Sequence, residues 1–258
     1  MTSRVTRLIL VAAVTAPVLA GCGGVGARLT FNDTEPAVTE IVLTGGSGDV
    51  MVRTAAIEET RITRVIHRNS DPGRTYEIKG TVLTIDTDCG DNCSVTYDIE
   101  APAGVEVRGE LRSGDIGLTG VGKTNVTVTS GDILDSKATG EVRAKATSGD
   151  INVTDSTGKI TVLSTSGDVR ALNIDGAVEA RATSGDVDIQ LTKTNSVTAQ
   201  ATSGDVNVIV PQGSYRIQTQ TGSGDAQIVG VTKDPAAKYL IDLSAASGDA
   251  TVSAAPAA

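Results

Sequence analysis

Val142-Arg143-Ala144-Lys145-Ala146-Thr147-Ser148-Gly149-Asp150-Ile151-Asn152-Val153 is nearly rewritten at residues 178–189 as Val-Glu-Ala-Arg-Ala-Thr-Ser-Gly-Asp-Val-Asp-Ile, and again at 197–208 as Val-Thr-Ala-Gln-Ala-Thr-Ser-Gly-Asp-Val-Asn-Val. Self-similarity at a fixed period marks a repeat architecture and outranks other signals. The Ser-Gly-Asp core occurs nine times, with serines at 47, 113, 130, 148, 166, 184, 203, 223 and 247. From Ser113 onward the steps are 17, 18, 18, 18, 19, 20 and 24 residues.

Aligned on the triplet, the residue after each Asp is Ile116, Ile133, Ile151, Val169, Val187, Val206, Ala226 or Ala250. Two further on stand Leu118, Asp135, Val153, Ala171, Ile189, Val208, Ile228 and Val252. Apolar residues at period two predict a half-buried strand after the turn, with Asp135 an inward-facing acid tolerated at a bulge. A second strand precedes the triplet, with Val142, Ala144 and Ala146 or Val178, Ala180 and Ala182 on its buried side. Its other side is polar, and Arg143, Lys145 and Arg181 are the candidate binding face. Gly122, Gly140, Gly158, Gly176 and then Asn195 form a further column, which predicts a second tight turn in the left-handed conformation that Gly and Asn favour.

The unit is therefore strand, turn, strand, turn in about 18 residues, with each coil expected to pair in parallel with the next in sequence. The fold class is all-β, a single-stranded β-solenoid (β-helix-like) over residues 105–253. Residues 37–104 alternate less regularly and read as irregular first coils or a small antiparallel cap over the exposed edge. The longer steps near the C-terminus, with Pro211 and Pro235, predict excursions and a frayed end, followed by a disordered tail at 254–258. One Phe, four Tyr and no Trp among 258 residues favour a thin core of aliphatic side chains.

The first 21 residues read as an export signal. Arg4 and Arg7 precede an apolar run from Leu8 to Ala20, and Val18-Leu19-Ala20-Gly21-Cys22 resembles a lipobox, whose cysteine takes a diacylglycerol before cleavage. The run is too short to span a bilayer, which needs about 20 apolar residues. Cys22 is the expected lipidation site, carrying palmitate-type acyl chains, with residues 22–36 a flexible tether and the body outside the cytoplasm on a membrane. The pattern Gly21-Cys22-Gly23-Gly24-Val25-Gly26 imitates a dinucleotide-binding loop but lies across the cleavage site, outside any βαβ unit.

The chain has 31 acidic and 22 basic residues. Losing Arg4 and Arg7 leaves 31 against 20, a net charge of −11. No basic patch appears, so nucleic acid is not an expected partner. Cys89 and Cys93 share one Gly/Asn/Asp turn and predict a local disulfide in an oxidising compartment. Zinc would need more ligands, and the single histidine, His67, is distant.

Stacking would line up Asp132, Asp150, Asp168, Asp186 and Asp205 as a ladder, extended by Asp115, Asp225 and Asp249. At about 5 Å, neighbouring carboxylates repel by about 1 kcal/mol in water and about 3 at an effective dielectric of 20. The expected compensation is that each Asp accepts amides of its own turn. The alternative is calcium or another cation held between coils. A polysaccharide-active β-helix would need two carboxylates at a defined separation, whereas a repeated Asp argues for structure.

The lipobox, the irregular β start, Ala101-Pro102-Ala103-Gly104 and the recurring Thr-Ser-Gly-Asp-Ile/Val resemble the bacterial domain-of-unknown-function family labelled "putative adhesin". The resemblance covers most of residues 37–253. It implies a surface or envelope β-solenoid, in some members linked to envelope stress, and brings no catalytic motif or cofactor. The expectation is a non-catalytic envelope lipoprotein that binds an envelope protein or a cell-wall glycan. A polysaccharide-active enzyme and a calcium-stabilised solenoid in envelope-stress sensing are the alternatives.

Overall fold

The computed structural model describes residues 28–67 and 71–256. The chain opens with β1 (Arg28–Pro36), β2 (Glu40–Thr44), β3 (Val50–Ala55), β4 (Glu59–His67), β5 (Tyr76–Lys79), β6 (Val82–Asp86) and β7 (Val95–Pro102). Short strands then alternate across each triplet: β8 (Glu106–Ser113), β9 (Ile116–Thr119), β10 (Thr124–Ser130), β11 (Ile133–Ser136), β12 (Val142–Ser148), β13 (Ile151–Thr154), β14 (Ile160–Ser166) and β15 (Val169–Ile174). The same alternation continues through β16 (Val178–Ser184), β17 (Val187–Leu191), β18 (Val197–Ser203), β19 (Val206–Val210), β20 (Ser214–Ser223) and β21 (Ala226–Val229). It closes with β22 (Thr232–Lys233), β23 (Leu240–Ser247) and β24 (Ala250–Ala254).

These strands build two twelve-stranded sheets; along the solenoid one holds the strands that follow each triplet and the other those that precede it, with β1, β4 and β7 added to the first and β5, β6 and β22 to the second. Pairing along the solenoid is parallel and in register, so Ile116, Ile133, Ile151, Val169, Val187 and Val206 stand in one buried row. In the other sheet, Val142, Ile160, Val178, Val197 and Ile241 form another. Alanines at 144, 146, 180, 182, 199 and 201 let the sheets approach closely over a thin interior.

The first triplet belongs to the solenoid. Strands β2 and β3 pair in parallel with β8 and β9, so the stack begins at residue 40 rather than 105. Beyond β3 the sheet continues through β7, then β4 and β1, which run antiparallel. The N-terminal region is thus both a first coil and an antiparallel cap. The predicted tether is corrected here: Arg28–Pro36 is strand β1, paired along its whole length with β4. Leu29 and Phe31 pack on the core, which holds it there. Residues 22–27, with Cys22, and the leader at 1–21 lie outside the described residues. At the other end Ala254 still belongs to β24, and the Ala255 amide donates to the Val210 carbonyl, so the tail begins later than 254.

The final coils are not stacked in sequence order. β23 and β24 insert between β18/β19 and β20/β21, placing the Ser223 coil at the end of the rod and the Ser247 coil inside it. Side-chain polarity accounts for the swap. The inserted coil turns inward Ile241, Leu243, Ala245, Ala250 and Val252, all fully buried. The end coil offers Ile217 and then Thr219 and Thr221, and Ala226 and Ile228 are exposed. A coil with polar inward positions leaves less apolar surface open when nothing covers it, as terminal repeats require. The expected frayed excursion is instead this permuted cap, with β22 laid against the start of β20.

All five aromatic residues lie at the two ends. Phe31, Tyr76 and Tyr97 are in the N-terminal cap, and Tyr215 and Tyr239 in the C-terminal coils. Buried Arg64 closes the first end, its guanidinium 5.0 Å from the Phe31 ring and 5.3 Å from Tyr76, with an ion pair to Asp33 at 3.3 Å. Coil-to-coil stacking needs no large side chains, whereas capping an open end does.

The second glycine column has a different cause from the one expected. Gly122, Gly140, Gly158 and Gly176 are not left-handed. They are glycine because coils meet there: a Cβ on Gly158 would lie 2.0 Å from the Gly140 carbonyl oxygen. The left-handed position falls seven residues after the triplet serine, at Gly120, Lys137, Asp155 and Asn173, with φ of 71°, 59°, 55° and 60°.

Candidate functional site

The Asp column was the sharpest candidate for chemistry. Within each triplet the glycine takes φ near 136°, as at Gly149 (138°) and Gly167 (134°), and turns the chain so that Asp lies beside the next coil. A Cβ there would meet the previous triplet's glycine carbonyl at 2.0 Å for Gly149. Each carboxylate then accepts an amide from the neighbouring coil, not from its own turn as expected. Asp132 N donates to Asp115 Oδ1 at 2.9 Å, Asp150 N to Asp132 at 2.8 Å, and Asp168 N to Asp150 at 2.8 Å. The series continues with Asp186 N to Asp168 at 3.0 Å, Asp205 N to Asp186 at 2.8 Å and Asp249 N to Asp205 at 2.8 Å. It follows the permuted order to its end, where Asp225 N donates to Asp249 Oδ1 at 2.8 Å. It starts one coil earlier than expected, with Asp115 N on Asp49 Oδ1 at 3.1 Å.

Amide dipoles aimed at each carboxylate offset the repulsion between them. Arg170 adds a cation beside the middle of the ladder, 2.7 Å from Asp168 and 3.9 Å from Asp150, and 3.7 Å from the outward-facing Asp188. One oxygen of every ladder carboxylate from Asp49 to Asp249, though not of the terminal Asp225, is committed to holding coils together. Among the described residues no group of three or more His, Cys, Asp or Glu side chains converges as a metal site would.

Asp135 is not at a bulge. Its strand pairs without a register break on both sides, opposite Leu118 and Val153, and its side chain is 1% exposed in the interior. Thr124 Oγ1 donates to Oδ2 at 2.7 Å, and Oδ1 has no partner. Burial pushes this carboxyl up to about 6, outweighing the Thr124 hydrogen bond that pulls it down.

Cys89 and Cys93 are disulfide-bonded, with a Cα separation of 5.3 Å. The loop they brace packs on the corner of the first coil, where Thr87 N donates to Thr44 O and a Cβ on Gly48 would lie 2.3 Å from Val95 O.

Arg143, Lys145 and Arg181 do share one outward face. In register, Lys145, Leu163 and Arg181 form a row across β12, β14 and β16. Arg143 pairs with Glu141 at 2.7 Å, and Arg181 pairs with Glu179 at 3.0 Å and donates to Gln200 at 3.0 Å. Exposed pairs of this kind add about 0–1 kcal/mol each, and they offset the charge of Arg143 and Arg181. Exposed Leu163 makes its centre apolar.

The opposite outward face carries a feature that pattern reading missed. In the row Met51, Gly117, Leu134 the middle position has no side chain and the Met51 thioether lies over it, beside a shallow groove of about 350 Å³. Met51 and Leu134, 43% and 49% exposed, line it, with Arg53, Thr119 and Ser136 at the side. The available signal was an apolar residue, Leu134, in an outward column whose members farther along are Asn152, Arg170 and Asp188.

Comparison with known proteins agrees with this architecture. Residues 26–255 match the model of the family described as Toastrack DUF4097, and the chain belongs to that family. A structure titled as a "putative adhesin" from Parabacteroides distasonis aligns with TM-score 0.58 at 14% identity, covering 90% of this chain and 98% of its own. Another from the same organism, titled as a "Putative lipid binding protein", aligns with TM-score 0.53 at 14% identity over 90% and 98%. At such identity the likeness is one of fold. No curated protein matches the chain.

Proposed function

We propose that this member of the Toastrack family is a non-catalytic binding protein of the bacterial envelope. It is held to a membrane by a lipid on Cys22 and offers its outward strand faces to an envelope protein or a cell-wall glycan. The observation that carries this reading is the fate of the Asp column. The one group repeated often enough to be a site is spent on coil-to-coil hydrogen bonds, which leaves the outward rows as the surface whose side chains the fold does not require. A flat row at regular strand spacing suits an extended partner. The adhesin label carried by the Parabacteroides structure points the same way.

Two variant sets test the reading in the intact envelope, with crosslinking and mass spectrometry as the readout. One reverses the basic face (Arg143→Glu, Lys145→Glu, Arg181→Glu) and the other fills the groove with charge (Met51→Asp, Leu134→Asp). Loss of a crosslinked partner in either set supports binding through that face. An unchanged partner profile in both would sink it. Intact mass of the mature N-terminus decides the anchor, expected to carry a diacylglycerol on Cys22 that Cys22→Ala abolishes.

A further inference from the structure

We propose that Asp135 is a proton-operated latch in the solenoid interior, closed when its carboxyl is protonated and loosened around β11 when it ionises. The carboxyl points into the gap between the sheets. Leu118 and Val153 flank it on its own sheet, and Val107, Thr124 and Val142 occupy the register positions of the facing sheet. None of these is ionisable. The other buried charged side chain among the described residues is Arg64, on β4, four strands away along the sheet and already paired with Asp33. No cation therefore compensates a charge at Asp135. Its one hydrogen bond, from Thr124, leaves Oδ1 unpartnered.

A neutral carboxyl tolerates an unpartnered oxygen far better than a carboxylate does, because the penalty of burial falls on the charged form. The folded protein accordingly holds this proton more tightly than the unfolded chain, with the group raised from 3.8 to about 6. When the folded state binds the extra proton, this group's contribution to stability is fully present below about pH 4, falls as pH rises from about 4 to about 6, and is gone above that. This runs opposite to the ordinary surface carboxylate. The element that loosens also carries Leu134, Asp135's neighbour and one wall of the outer groove.

The test compares the mature chain with Asp135→Asn, which keeps the shape of the protonated acid and cannot ionise. Denaturant unfolding at pH 4.5 and 7.5 gives an unfolding constant for each. The ratio of wild type to variant is expected to rise by about 25-fold between the two pH values, the factor that follows from a carboxyl moved from about 4 to about 6. Parallel behaviour of the two proteins would overturn the proposal. Should Asp135→Asn fail to fold, the wild type alone decides: its Asp135 carboxyl carbon, followed by NMR, is expected to titrate near 6. A midpoint near 4 would refute the latch. Amide exchange over Ile133–Ser136, corrected for intrinsic rates, should lose protection across the same window, and constant protection would refute the loosening of β11.

Discussion

The backbone amide of Asp150 donates to Oδ1 of Asp132 at 2.8 Å, so an acidic residue in one coil is the hydrogen-bond partner of the equivalent residue in the next. The carboxylates are therefore adhesive between coils, although they are alike in charge. In each pair the Oδ1 oxygen stands in for a backbone acceptor of the next coil.

Asp132→Ala should leave the Asp150 amide without an acceptor at a half-buried corner and cost about 1–3 kcal/mol. Asp132→Asn, which keeps the oxygen, should cost less. Asp225 ends the ladder, and its carboxylate receives no amide from a further coil, so Asp225→Ala should stay within about 0.5 kcal/mol. Denaturant melts of the three variants check the order.

Lys137 has φ of 59° at a position where the equivalent residues are Gly120, Asp155 and Asn173. A left-handed backbone costs most residues about 1–2 kcal/mol and Asn less. Lys137→Asn should therefore raise stability by about 0.5–1 kcal/mol, read as an increase in Tm. Gly158→Ala should do the reverse, since its Cβ would stand 2.0 Å from a backbone oxygen that cannot move without opening the stack.

Leu243→Ala, in the inserted coil, should cost about 2–5 kcal/mol, as for buried aliphatic truncations elsewhere. Ile228→Ala, 39% exposed on the end coil, should cost less than about 1 kcal/mol. Losses in the reverse order would contradict the permuted arrangement, because stacking in sequence order would bury Ile228 and leave Leu243 on the end coil.

The ladder's compensation by amides and Arg170 predicts that calcium is not needed for stability. Melting curves with millimolar calcium and with chelator should coincide, and a rise in Tm with calcium would reopen the cation reading.

The coil itself was legible because apolar residues at period two and a fixed triplet are local signals. Cys89 and Cys93 were legible for the same reason, being four residues apart in one turn. What lay outside local reading was which coil touches which. Gly158 looks like a turn glycine until Gly140 is placed beneath it, and the acceptor for an Asp cannot be chosen between its own turn and the next coil by counting. The order of the last two coils was hidden too, since both carry the same triplet. Only the contrast of Thr219 and Thr221 with Leu243 and Ala245 pointed to it. Strand β1 escaped because its alternation, Leu29, Phe31, Asp33, Glu35, becomes acidic on the inward side, where Asp33 meets Arg64 and Glu35 accepts the Tyr76 hydroxyl.

The inserted position of β23 and β24 bears on how the protein comes off the ribosome. A solenoid in simple order can wind up one turn at a time as it is made. Here the Ser223 coil is synthesised before the coil it rests on, so it reaches its final place only once β23 has slotted in beside β18. Completion of the rod waits for β23 and β24, and a chain cut before them would lack the floor for the Ser223 turn.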